Sequence, residues 1–178
     1  MIRIAAAALA LALAAPAMAA PAVPAVQTAP APAVSVEAVR AWLISKGGDV
    51  SPVQREDGLT WISVNDDPLH WVVFFYDCSG ERCATVQYSS SFSNPSITQE
   101  MVNDWNRDHR FLKAYFLPAE AGGEPTAVVQ HDVLVHSDDV EQLTESAALW
   151  LGLLPEFATA VGYLTAEEGV LAARPSAC

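Results

Sequence analysis

The sequence predicts an α+β domain in which helices pack on one antiparallel sheet, in the order α-β-β-β-α-β-β-α. Apolar residues recur at helical spacing in three separated segments, and two groups of β-rich runs lie between them. Within each group the runs are joined by "DDP", "SGER" or "AEAGGEP", the residue types of turns and hairpins. Neither an internal repeat nor a second domain is visible.

The first helix is expected over Ser35–Lys46, "SVEAVRAWLISK". Val36, Val39, Trp42, Leu43 and Lys46 fall near helical spacing, Ser35 is placed to cap the start, and Gly47-Gly48 ends it. "LTWISVND" then reads as a short strand. "LHWVVFFYD" is a continuous apolar run rich in β-branched and aromatic residues, as expected of a strand buried on both faces.

After Cys83 the pattern turns to alternation. Ala84, Val86, Tyr88, Ser90 and Phe92 share one face, while Thr85, Gln87, Ser89 and Ser91 share a solvated one. "SNPSITQEMVNDWN" opens the second helix, capped by Asn94 with Pro95 at its first position or by Ser96 with Gln99 as a capping box. Ile97, Met101 and Trp105 supply its core stripe.

Two strands follow, "RFLKAYFLP" and "TAVVQHDVLV". The last helical region is expected to begin near Ser137, with Asp138 and Asp139 in a first turn that favours negative charge. Val140, Leu143, Ala147, Leu151 and Leu154 form its apolar face. Pro155 should kink or restart it before Phe157, Val161 and Leu164 continue the stripe.

The two ends of the chain carry different signals. "MIRIAAAALALALAAPAMAA" combines a basic start at Arg3, an apolar run from Ile4 to Ala15 and an Ala17-Met18-Ala19 cleavage signature, the pattern of a secretory signal peptide over residues 1–19. The run is well short of the roughly 20 residues a spanning helix needs, so no membrane insertion is expected after cleavage. Residues 20–34 are Ala/Pro-rich and uncharged, an extended tether. The domain is expected over 35–165 and a flexible polar tail over 166–178. Export places the mature protein in the periplasm or outside the cell.

Charge restricts the partners. There are 9 basic and 21 acidic residues, a formal net charge of −12, so nucleic acid and anionic lipid surfaces are repelled.

Cys78 and Cys83 flank the turn "SGER" between two strands, where their side chains could face each other. In an oxidising compartment such a pair is a disulfide by default. A thioredoxin-like site would want two intervening residues at a helix start, and here four lie in a hairpin. The pair is therefore read as a structural staple. Cys178 is left over, free or paired between chains.

His131 and His136 are five apart on a strand and so point to opposite faces, which is poor metal geometry; His70 and His109 fall on other elements. Phosphate-cradling loops, His-Glu-x-x-His, a nucleophile elbow and a dinucleotide fingerprint do not occur in the sequence. No metal, cofactor or catalytic residue is assigned.

A helix, a Cys-bearing strand pair, "MVNDWNRDHRFLKAYF" and a hydrophobic hairpin before a Trp-bearing helix resemble the YbjN domain family of bacterial proteins. Asn103, Trp105 and Asn106, followed by Arg110, Phe111 and Ala114, carry the resemblance most specifically, and it spans roughly 36–161. It implies a fold similar to type III secretion chaperones, a regulatory or sensory role and no catalytic residues. The hairpin loop "PAEAGGEPT" and the helix entry "HSDDV" depart from the family's tighter, glycine-rich versions, so binding roles of those loops are not carried over. Nor are intracellular partners, because many relatives are cytoplasmic in type whereas this chain carries its own export signal.

The expected function is an exported, non-catalytic binding, chaperone-like or regulatory module with a protein partner, and homodimerisation is a further expectation. The alternative is a small periplasmic hydrolase or thiol redox protein. Asn103, Trp105, Asn106, Arg110 and Phe111 are the candidate interaction residues.

Overall fold

Ser35 is the point where the chain leaves a strand and enters a helix. In the computed structural model, which describes residues 31–172, the two-residue strand β1 (Val34–Ser35) runs into α1 (Val36–Ser45), and the Ser35 hydroxyl accepts from the Ala38 N–H at 3.4 Å. The helix stops at Gly47, whose φ of 93° suits glycine. The expected signal peptide, residues 20–30 of the tether and Cys178 lie outside the described residues. Val34 was expected in the tether. It is fully buried and pairs with Cys83, so the domain begins one residue earlier.

The expected order of major elements holds, with three very short strands added. After β2 (Asp49–Val50) and β3 (Gln54–Glu56) come β4 (Leu59–Asp66), β5 (Leu69–Ser79) and β6 (Arg82–Ser93). Then follow α2 (Gln99–Asp108), β7 (Lys113–Leu117), β8 (Thr126–Leu134), a 3-10 turn over Val140–Leu143, α3 (Thr144–Ala160) and α4 (Ala166–Ala172). The sheet is antiparallel in the order β2-β4-β5-β6-β8-β7, with β1 on β6 and β3 on β4.

The core lies on one side of this sheet. Ile62, Val64, Trp71, Val73, Phe75, Val86, Tyr88, Phe92 and Val129 meet Val39, Trp42, Trp105, Trp150, Leu154 and Phe157 from the helices. Trp150 sits 6.0 Å from Trp71 and 5.9 Å from Tyr88, ring to ring, and Phe157 lies 5.1 Å from Trp105 and 5.8 Å from Phe92. Each such large apolar side chain contributes about 1.5–3 kcal/mol on full burial.

Local differences from expectation have local causes. Thr98, not Asn94 or Ser96, caps α2: its Oγ1 accepts from the Met101 N–H at 3.3 Å. Asn94 is instead taken up in a turn, with its Oδ1 accepting from the Ser96 N–H at 2.9 Å. α3 continues past Pro155 without a restart, and Trp150 takes the core position expected of Leu151, which is exposed. Residues 166–172 form α4 rather than a flexible tail. A reciprocal capping box starts it: Thr165 Oγ1 accepts from the Glu168 N–H at 3.3 Å, and Glu168 Oε2 accepts from the Thr165 N–H at 2.8 Å.

Candidate functional site

The face of the sheet away from the helices holds a groove of about 670 Å³. Paired residues in an antiparallel sheet share a face, so the register lists what lines it. One row runs Ser63, Val72, Ser89, Gln130 and Lys113, and the next runs Trp61, Phe74, Gln87 and Asp132. Ser91, Val128 and Tyr115 make a third, and Tyr76, Thr85 and Leu134 a fourth.

This corrects two expectations. β5 is buried on one face only: Leu69, Trp71, Val73 and Phe75 enter the core, whereas Val72 and Phe74 are half-buried and Tyr76 is exposed. Its aromatic, β-branched run suits a pleated surface whether or not a second layer covers it. In β6 the face taken as solvated buries Gln87 and Ser89, because this strand lies between β5 and β8 and both neighbours shade it.

A polar ladder crosses the middle of the face. Gln87 Nε2 donates to Asp132 Oδ1 at 2.5 Å, Gln87 Oε1 accepts from Gln130 Nε2 at 3.1 Å, and Lys113 Nζ donates to Asp132 Oδ2 at 2.7 Å. Burial opposes the Asp132 charge, but these bonds from Lys113 and Gln87 outweigh it and hold the carboxyl below its ordinary range. The Tyr76 hydroxyl is raised by burial first and by nearby Asp132 second. Around the ladder stand apolar side chains open to solvent: Tyr115 at 42%, Leu117 at 46% and Leu134 at 77% exposure, with Leu59 and Tyr76 on the same face.

The outermost strands of the sheet offer little for a further strand to pair with. At β7 the side-chain amide of Asn106 stands where a neighbouring strand would be, donating from Nδ2 to the Ala114 carbonyl at 2.8 Å and accepting at Oδ1 from its N–H at 2.9 Å. At the other edge β2 and β3 offer two and three residues. Both devices discourage strand addition.

The candidate residues read from sequence do not form one site. Trp105 is core, stacked on His109 at 3.5 Å. Asn106 is the edge clamp, Asn103 is exposed on α2, and Arg110 and Phe111 form an exposed cation–aromatic pair 5.4 Å apart at the approach to β7. His131 Nδ1 lies 3.2 Å from the Phe111 carbonyl, in keeping with a hydrogen-bonded, partly buried histidine. Cys78 and Cys83 pair in register and are joined as a disulfide, with Gly80-Glu81 as the turn between them.

The groove residues Tyr76, Gln87 and Tyr115, and Leu117 on the same face, do not stand out in the sequence. The signal is present in β5 and β7, whose second faces carry Val72, Phe74, Tyr76, Tyr115 and Leu117.

Comparison with known proteins gives a consistent result. A family profile described as "YbjN: Putative bacterial sensory transduction regulator" matches residues 35–162. The crystal structure of "YbjN, a putative transcription regulator from E. coli" is similar in fold, with a TM-score of 0.50 and 15% identity over 75% of this chain and 93% of that one. Among curated proteins nothing matches.

Proposed function

The chain belongs to the YbjN family, and from that premise we propose that it is an exported, non-catalytic regulatory module that binds a protein partner on the helix-free face of its sheet. The family is described as regulatory, and the coarse reading follows it. The observation that carries the finer reading is the contrast between face and edges. Tyr76, Tyr115 and Leu117 stay open on the face, while Asn106 occupies the β7 edge. Exposed apolar patches of this kind mark interaction surfaces.

Export rests on the 1–19 leader and agrees with the joined cysteines. A protein partner suits the negative net charge better than nucleic acid or anionic membrane does. Self-association through the same face is the homodimer form of this reading.

The test compares the wild type with Tyr76→Ser/Tyr115→Ser/Leu117→Ser in the exported fraction, after gentle cross-linking. The wild type should recover a repeatable partner, or a second copy, and the triple variant should lose it while keeping its unfolding midpoint. Recovery of the same species by both, or of nothing by the wild type, defeats the reading. Intact mass of the exported protein tests the leader: the mature chain should begin near Ala20.

A further inference from the structure

The groove offers its occupant side chains and almost no backbone, and this defines the occupant. A segment lying on the face of a sheet finds no strand N–H or C=O directed at it, because those groups lie in the plane of the sheet and point towards neighbouring strands. Edge pairing, the ordinary way a sheet captures an extended peptide, is blocked at Ala114 by Asn106. The occupant must therefore satisfy its own backbone, and among single segments an α-helix does so.

The chemistry of the face specifies that helix further. Val72, Phe74, Tyr76, Val128, Tyr115 and Leu117 call for an apolar stripe at helical spacing. The charges on the same face are unbalanced. Lys113 is paired with Asp132, whereas Asp49 and Glu56 face the same way from β2 and β3, opposite Asn65 and Leu59, with no Lys or Arg partner among the described residues. The net charge of the whole chain, −12, has the same sign. Two copies carry the same net sign and repel, so a foreign basic segment is favoured over a second copy.

We propose that the helix-free face binds an amphipathic helix of a partner protein, one with an apolar stripe flanked by Lys or Arg, whose basic flank lies along the Asp49 and Glu56 edge. This rests on the reading of the face as the protein-binding surface.

The test uses the mature, disulfide-intact protein and three fluorescent synthetic peptides of about 15 residues, long enough to form a helix on binding. One carries Leu at i, i+3, i+4 and i+7 with Lys flanks, the second replaces Lys by Glu, and the third scrambles the first so that no apolar stripe remains. The Lys-flanked peptide should bind about tenfold or more tighter than either control and weaken as salt rises. Asp49→Asn/Glu56→Gln should weaken it several-fold without weakening the Glu-flanked peptide. Tyr115→Ser/Leu117→Ser should abolish binding of all three.

Equal binding of the Lys- and Glu-flanked peptides, lost in Tyr115→Ser/Leu117→Ser, overturns the basic-helix assignment and leaves the face as a binding surface. Binding that ignores the face substitutions, or no binding of the Lys-flanked peptide, overturns the assignment too. So does a stable dimer in sedimentation that the peptide cannot dissociate and that Tyr115→Ser/Leu117→Ser abolishes, because the occupant is then a second copy.

Discussion

The side-chain amide of Asn106 pairs with both backbone groups of Ala114, giving at 2.8 Å and taking at 2.9 Å, so one residue of α2 does the work of a strand at the β7 edge. Asn106→Ala should therefore destabilise the fold by about 1–2 kcal/mol in urea unfolding, since two part-buried backbone groups lose their partner. Asn106→Asp keeps the acceptor, loses the donor and should fall between. Asn103→Ala, at an exposed position of the same helix, should stay within about 0.5 kcal/mol. Opening the edge should also raise self-association, which sedimentation of Asn106→Ala would detect.

Docking of α4 depends on a missing side chain. A Cβ at Gly169 would collide with the Thr159 hydroxyl of α3, while the next nearest atom, Thr159 Cβ, lies at an ordinary 3.5 Å. Gly169→Ala should cost about 1–3 kcal/mol through overpacking and raise amide exchange across 166–172. Adding Thr159→Ala removes the colliding oxygen and should restore protection. A double variant no better protected than Gly169→Ala alone would show that steric fit is not what seats the helix.

The same helix should loosen in acid. The Thr165 N–H, and after it the Thr165 hydroxyl, hold the Glu168 carboxyl below its ordinary range. The folded pKa thus lies below the unfolded value of about 4.3, so the contribution is complete above that value and fades as pH falls through the folded pKa. Protection of 166–172, corrected for intrinsic exchange, should drop in acid more than that of α1. In Glu168→Gln this extra acid sensitivity should disappear. If Glu168→Gln follows the wild type, the capping box is not its source.

The disulfide closes a short loop, so its contribution is modest. Chain entropy assigns about 2 kcal/mol to a ring of this size. Reduction, or Cys78→Ala/Cys83→Ala, should lower the unfolding free energy measured in urea by that much and leave the circular dichroism spectrum unchanged. Loss of the folded spectrum on reduction would mean that the pair does more than hold the register of β5 and β6 near their turn.

Much of the fold is legible in the sequence because local signals and packing agree. Ser35 and Gly47 bracket α1 as their chemistry dictates, and Cys78 and Cys83 meet across the turn between them. Trp150 rather than Leu151 enters the core because both lie three or four residues from Ala147 and from Leu154, which are buried as expected, so helical spacing admits either of them. The face was harder to see. A strand such as Leu69–Ser79 has the same composition whether its second face meets a layer of helices or stands open, and only the tertiary count of helices decides. Asn106 was visible as a motif residue, but its partner eight positions on became evident only once β7 was placed as an edge.

The most direct test of the binding face is site-specific photocross-linking in the exported fraction. A photoreactive side chain is placed in turn at Tyr115 and Leu117 on the sheet face, and at Leu151 and Glu156 on the exposed side of α3. Discrete adducts from the first pair and none from the second are the predicted result. Adducts from the α3 positions, with Tyr115 and Leu117 silent, would contradict it and move the interaction surface to the helical layer.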